Sequence, residues 1–294
     1  MREKEFRIVD VFTIGKYSGN QLAVVMAGDN MDSIKMQSIA QEMNYSETTF
    51  ITGGDLENGF DVRIFTPAIE IPFAGHPVLG TAYVACTELC EGEPKTIKLI
   101  LKAGQIDVTI EYNGNNPSLL TMRQQEPEFG EIFESSIFPG ILGLHETDVP
   151  EDFPVQHVST GLSFAIVPIR SLEAMGRISL QLDKYSQFAA STEAKGLLCF
   201  CTETVNRENQ LHVRMFAPGY GIMEDSATGS GNGCLAAYLL KYSVFGKGEV
   251  KARSEQGIEM GRSSLLYLSA FREGSRIIVH VGGAVVPTAK GILI

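Results

Sequence analysis

The chain has 294 residues, of which 44% are hydrophobic and 20% charged. That is an ordinary globular composition with room for about two domains, each large enough to bury its own core. A formal net charge of −11 argues against a nucleic-acid or anionic-membrane partner, while a local anion site built from backbone amides stays open. Residues 1–12, MREKEFRIVDVF, place charges among the first apolar positions and show neither the apolar run nor the cleavage pattern of a secretory leader. With no apolar run near the roughly 20 residues that span a bilayer, the expected setting is cytoplasmic, with no membrane partner. The five cysteines, Cys86, Cys90, Cys199, Cys201 and Cys234, form no second pair at zinc-binding spacing and read as buried free thiols.

In chain order, residues 6–12 and 20–26 alternate as strands do, and residues 32–43 carry Met36, Ile39, Ala40 and Met43 on one helical face behind a cap at Asp32 or Ser33. Glu47 falls just past that helix, where Thr48-Thr49-Phe50-Ile51 begins a strand, and residues 60–65 form another. Pro77 suits the first residue of a buried helix running to about Glu88, because its fixed φ is already helical. Residues 96–101 and 105–112 read as a hairpin, followed by a turn at 113–118. Gln125-Glu126-Pro127-Glu128-Phe129-Gly130 has the composition of a domain connection, so the expected domains are 1–128, completed by 280–294, and 129–279.

Much of this plan occurs twice. Val62-Arg63-Ile64-Phe65-Thr66-Pro67 returns 151 residues later as Val213-Arg214-Met215-Phe216-Ala217-Pro218. Each copy leads to a glycine that opens an apolar, alanine-containing segment, at Gly75 and at Gly229. Weaker echoes pair Leu22-Ala23-Val24-Val25 with Phe164-Ala165-Ile166-Val167, and Ala103-Gly104-Gln105-Ile106 with Gln256-Gly257-Ile258. Several matches in the same order indicate a duplicated unit of roughly 150 residues. Strands outnumber helices, and each half has one helix apolar enough to be enclosed on all sides. The expected fold is therefore α+β, with a curved sheet wrapped round a central helix in each of two pseudo-symmetric domains.

Gly75-His76-Pro77 and Thr228-Gly229-Ser230-Gly231 each precede a predicted helix and so present backbone N–H groups at a positive helix end. With pseudo-twofold symmetry both ends can point at one cleft and hold a small carboxylate-bearing substrate without Lys or Arg. Either turn alone reads as glycine packing; the pair, beside ionisable residues, reads as a site. Other chemistry fits poorly. Gly229, Gly231 and Cys234 fall short of the dinucleotide fingerprint, no phosphate-binding P-loop occurs, and Thr228 stands where a nucleophile elbow at Ser230 needs glycine. A hydrolytic triad of His76, Asp225 and Ser230 is disfavoured, because a serine at a helix N-terminus is usually a cap or donor.

Five strings, spread over most of the chain, resemble the PhzF-like phenazine-biosynthesis family. They are Ser46-Glu47-Thr48-Thr49-Phe50, Arg63-Ile64-Phe65-Thr66-Pro67 with Pro72-Phe73-Ala74-Gly75-His76-Pro77, Arg214-Met215-Phe216-Ala217-Pro218, Glu224-Asp225-Ser226-Ala227-Thr228-Gly229-Ser230, and residues 255–262. The resemblance implies a diaminopimelate-epimerase-like duplication, a homodimer, and neither metal nor organic cofactor. It also implies Glu47 as acid/base, with His76, Asp225 and Ser230 lining the same cleft. The chemistry would be isomerisation of a substrate such as trans-2,3-dihydro-3-hydroxyanthranilate by moving a proton along a conjugated ring. A carboxylate does this if a dry site raises its pKa toward neutrality. Read without the resemblance, Glu47 is equally compatible with a solvated turn glutamate, and Asp225 with a turn or cap residue.

Related cofactor-independent epimerases use two cysteines at the central-helix N-termini. Ala74 and Thr228 stand at the matching positions here, and Cys234 lies about a turn and a half into its helix, so two-thiol stereoinversion is not expected. Ser226 departs from the family pattern, which favours proline after the aspartate and hence a stiffer loop. The leading expectation is an isomerase of a small cyclic or unsaturated carboxylate, with Gly75, Thr228, Gly229 and Ser230 in the anion-binding turns. The alternatives are an epimerase or lyase on the same scaffold, or a non-catalytic small-anion-binding dimer.

Overall fold

In the computed structural model, which describes residues 3–28 and 31–294, the chain divides into two units. The first runs to Arg123 and is rejoined by Gly282–Ile294; the second is Gln124–Val281.

The first unit contains β1 (Lys4–Val11), β2 (Asn20–Met26), α1 (Ser33–Met43), β3 (Thr48–Asp55), β4 (Gly59–Phe65), β5 (Glu70–Ile71), α2 (Gly75–Val84), β6 (Thr96–Leu101), β7 (Gly104–Asn113) and β8 (Asn116–Arg123). β1 lies antiparallel to both β2 and the terminal strand Val285–Leu293. β2 runs parallel to β3, β3 antiparallel to β4, and β4 antiparallel to β5 and parallel to β6, after which β6, β7 and β8 form an antiparallel meander. Asp32 caps α1 by accepting the Lys35 N–H at 2.8 Å, and Asn44 ends it in the left-handed region. Met36, Ile39 and Ala40 face the core, as their spacing requires.

α2 is buried along almost its whole length and packs on β1, β2, β3, β6, β7 and β8. Gly80 permits this approach, since a Cβ there would lie 2.5 Å from the Leu22 side chain. The helix starts at Gly75, two residues before the position expected from Pro77, and it gives way at Ala85–Leu89 to a π turn instead of running on as α-helix to Glu88. Proline is tolerated anywhere in a first turn, because no N–H there has an intrahelical acceptor, so Pro77 marked the turn but not its first residue.

The second unit contains β9 (Glu128–Ile132), α3 (Ile137–Leu142), β10 (Gln156–Ser159), β11 (Ser163–Pro168), α4 (Leu172–Arg177), α5 (Leu182–Ser191), β12 (Gly196–Cys201), β13 (Leu211–Ala217), β14 (Ile222–Asp225), α6 (Gly229–Lys241), β15 (Val250–Gln256), β16 (Ser264–Glu273) and β17 (Arg276–Gly283). The stretch read as a connection is partly strand: Glu128 starts β9, which pairs with β10, and Gly130 leaves room for the His157 ring. β11 runs parallel to β12, β12 antiparallel to β13, β13 antiparallel to β14 and parallel to β15, and β15 antiparallel to β16. That is the order of β2 to β7, element for element. α6 is buried over all but its last residue and packs on β10, β11, β12, β15 and β16. The outer layer differs between units: where the first has α1, the second has α4 and α5, packed with α3 around Phe133, Phe138 and Phe188.

Candidate active site

In the first unit, the left-handed Asn44 turns the chain out of α1 and Thr48 enters β3, which leaves Glu47 held between them at 8% exposure. His76, the second residue of α2, is also buried, and its Nε2 lies 3.4 Å from Glu47 Oε2. A 2.8 Å hydrogen bond between the Thr49 and Thr81 hydroxyls ties the two elements together one step away. Burial pushes the His76 imidazole down to about 3, against the backbone bond at Gln21, which works the other way. The ring is therefore neutral at working pH, and the 3.4 Å approach is not an ion pair. A backbone bond that favours the charged ring is one in which ring N–H donates to a carbonyl. Nε2, which makes no hydrogen bond, is then the lone-pair nitrogen turned toward Glu47. Glu47 and His76 can carry one proton between them. Gly75 is buried beside His76 at the start of the helix, whose N-cap Ala74 provides no side-chain cap.

In the second unit, β14 delivers Asp225 to the turn before α6. Arg214 holds Glu224 through two 2.8 Å bonds and stacks 5.0 Å over Phe216; Arg63 repeats this on Glu70, at 2.8 Å twice, and on Phe65 at 5.1 Å. Each arginine thus anchors the short strand that leads to a central helix. Thr228 occupies the N-cap position of α6 without capping it, because its hydroxyl donates to Asp225 Oδ2 at 2.6 Å. Gly229 and Ser230 follow, both buried, and Ser230 accepts a 3.4 Å bond from Thr160 at its carbonyl. Asp225, Thr228, Gly229 and Ser230 are thus gathered in one turn, as Glu47, Gly75 and His76 are gathered in the first unit.

The stiffness that proline would give at Ser226 is supplied from outside the turn. Ser264 Oγ donates to the Ser226 carbonyl at 2.7 Å, and Gln256 Nε2 to the Asp225 carbonyl at 2.8 Å. Sequence reasoning missed Gln256, Asn232, Ser254 and Ser264. The signals were the weak echo around Gly257 and the string 255–262, and neither says what the Gln256 amide bonds. Cys234 bonds Thr160 at 3.5 Å, and burial pushes its thiol up to about 12, so it is no proton-transfer group. Among the described residues all five cysteines are free, but Cys90 is only half-buried.

The PhzC-PhzF family, described as phenazine biosynthesis-like protein, matches residues 9–291. The chain belongs to this family. A relative named trans-2,3-dihydro-3-hydroxyanthranilate isomerase, from Pseudomonas aeruginosa, is 30% identical over 285 residues, which cover 97% of each chain. The crystal structure of a PhzF-family phenazine biosynthesis protein from Bacillus anthracis superposes with a TM-score of 0.91 at 24% identity, covering 100% of both chains. A hydroxyproline epimerase from Agrobacterium vitis shares the fold at a TM-score of 0.64 and 11% identity, covering 99% of this chain and 92% of its own. The α+β, diaminopimelate-epimerase-like fold expected from the sequence is the fold of these neighbours, and the chain is an isomerase of the PhzF family. Among the described residues no helix is long and apolar enough to cross a membrane.

Proposed function

We propose that this PhzF-family isomerase moves a proton on a small cyclic or unsaturated carboxylate, of the kind acted on by its Pseudomonas aeruginosa relative, with Glu47 as the acid/base. The observation that carries the reading is the buried carboxyl of Glu47 beside the lone-pair nitrogen of a neutral His76. Glu47 as carboxylate takes the proton from an activated C–H, and the electron pair of that bond passes into the conjugated system. The carboxylic acid so formed, with Nε2 of His76 as its acceptor while it waits, returns the proton to a second carbon; no proton is gained or lost overall. In each unit the first-turn N–H groups, at Gly75 in the first and at Gly229 to Ser230 in the second, are donors suited to a carboxylate, since neither helix has a side-chain cap. Asp225 and Thr228 supply an oriented carboxylate for an amine or hydroxyl on the substrate. The chemistry asks for no cofactor, and the protein works in the cytoplasm as a homodimer.

Ala74 and Thr228 deny the chain the two thiols of the related epimerases, and for this reason allylic isomerisation is preferred to stereoinversion. The test is turnover of trans-2,3-dihydro-3-hydroxyanthranilate in deuterated buffer, followed by NMR, for the native protein and Glu47→Gln. Conversion that falls by at least about a thousandfold in the variant supports the reading, on the scale expected for losing a general acid/base. Equal turnover in both overturns it. Binding without any turnover would leave a small-anion-binding protein, and deuterium at an inverted centre would leave an epimerase.

A further inference from the structure

Behind Asp225 lies a row of buried polar side chains of which only Thr228 enters the chemistry above. Ser254, Gln256 and Asn232 are all fully buried, and Thr228 nearly so. Ser254 Oγ donates to Asn232 Oδ1 at 2.7 Å, and Asn232 Nδ2 donates to Gln256 Oε1 at 2.9 Å and to the Thr228 carbonyl at 3.0 Å. Gln256 Oε1 also accepts the Thr228 backbone N–H at 3.2 Å, while its Nε2 donates to the Asp225 carbonyl at 2.8 Å and to Thr228 Oγ1 at 3.1 Å. Thr228 Oγ1 stands 2.6 Å from Asp225 Oδ2.

Two backbone groups decide the direction of every link. The Thr228 N–H can only donate and the Asp225 carbonyl can only accept, so the Gln256 amide has one possible orientation. Asn232 must then turn Nδ2 to two acceptors and Oδ1 to Ser254. With the Gln256 amide donating to it, the Thr228 hydroxyl has its own proton directed at Asp225. A flip of either amide would set donor against donor inside a buried network, where unsatisfied groups are costly.

We propose that Ser254, Asn232 and Gln256 are positioning residues that form a one-directional hydrogen-bond relay, which aims the Thr228 hydroxyl proton at Asp225 and so holds that carboxylate in a single orientation. The relay gives Gln256 a role although it reaches only the Asp225 carbonyl, Thr228 and Asn232. It also explains how the turn dispenses with proline at Ser226. The inference rests on the reading of Asp225 as a site residue only for its consequence in turnover; the relay itself is a property of the second unit.

The test is isotope-edited infrared spectroscopy of protein carrying 13C-carboxyl aspartate, with the Asp225 band identified by its loss in Asp225→Asn. Thr228→Ser keeps the donor and leaves the band in place; Thr228→Val removes the donor and moves it. Gln256→Met, which touches neither the carboxylate nor the hydroxyl's own bond to it, moves the band the same way by a smaller amount and lowers kcat/KM about tenfold with little change in KM. A band unmoved in folded Gln256→Met, while Thr228→Val moves it, overturns the relay. If Gln256→Met does not fold, the wild-type protein decides: a slowly exchanging Thr228 hydroxyl proton, assigned by its loss in Thr228→Val, shows scalar coupling to the Asp225 carboxyl carbon if the proposal holds. Its absence is equally fatal. Because these signals need no turnover, equal turnover by the native protein and Glu47→Gln would sink the proposed reaction and leave the relay standing.

Discussion

Two buried histidines show how the same side chain is set to opposite states. His76 is kept neutral by burial, which drives it down to about 3. His212 is fully buried as well, yet both ring nitrogens face carboxylate oxygens at 2.9 Å, Nδ1 toward Glu255 and Nε2 toward Glu259. Burial opposes a charge on His212, but the two hydrogen-bonded carboxylates outweigh it and raise the group above its ordinary value of 6.5. The consequences for stability have opposite signs. Between about 3 and 6.5 only the unfolded chain binds a proton at His76, so that residue makes stability rise with pH over this window. His212 binds its proton in the folded state; its contribution is complete below 6.5 and is lost as pH rises through the raised folded value. Replacing His212 by Gln should cost about 3 kcal/mol at pH 6, where it leaves the buried Glu255 carboxylate and the more open Glu259 without their cation. The difference from wild type in urea unfolding should shrink as pH rises through the raised folded value, and a difference independent of pH would show that His212 is not an imidazolium.

At the level of elements, glycine has two unlike uses within helices. Gly80 lies in α2 against Leu22, Val11 and Val9, and an added Cβ would meet their methyl groups at 2.5, 2.9 and 3.1 Å. Gly176 lies in α4, where an added Cβ would meet nothing within 4 Å and the backbone is helical. Gly80→Ala should therefore cost about 1–3 kcal/mol through overpacking, despite the better helix propensity of alanine. Gly176→Ala should stabilise by about 0.5–1 kcal/mol. Thermal melting of the two variants checks both, and the same sign for each would refute the packing argument. The paired arginines belong to this scale too. Arg214 is nearly buried and also donates to the Met175 and Ile178 carbonyls, whereas the Arg63 pair is partly open to solvent. The shared motif Val-Arg-x-Phe-x-Pro was legible as a repeat, but its partners were not: Glu70 and Glu224 lie seven and ten residues downstream. A loop between them hides the pairing from any fixed spacing.

Over the whole molecule, the strand pairing is duplicated while the Glu47 carboxyl is not. Ala23 aligns with Ala165 in the repeat; Ala23 pairs with Thr48 and Ala165 with Leu197, so the counterpart of Glu47 is Gly196. No side chain fits there, because a Cβ would lie 2.4 Å from the Phe164 ring. With one such carboxyl in the duplicated scaffold, the proposed reaction uses one group to remove and return the proton. A substrate deuterated at the carbon that loses its proton, turned over in ordinary water, should yield product that keeps part of the deuterium at the new carbon. Complete loss of label in the first turnovers, read by mass spectrometry, would contradict a single shuttling carboxyl.

The sequence by itself determined the duplication, the α+β class, the two enclosed helices and the family, because each is written in periodicity or in short strings whose neighbours in the chain are neighbours in the fold. A cap at Asp32 or Ser33, which the structure places at Asp32, and Glu47 just before β3 were legible for the same reason. What tertiary structure alone decided is how the polar groups are paired. Whether Glu47 meets solvent or His76, whether His212 is charged, and which way the Gln256 amide points all depend on residues tens of positions apart brought within 3.5 Å. Burial then sets the protonation state of each such group, and neither burial nor a hydrogen-bond partner across a sheet has any signature in local sequence.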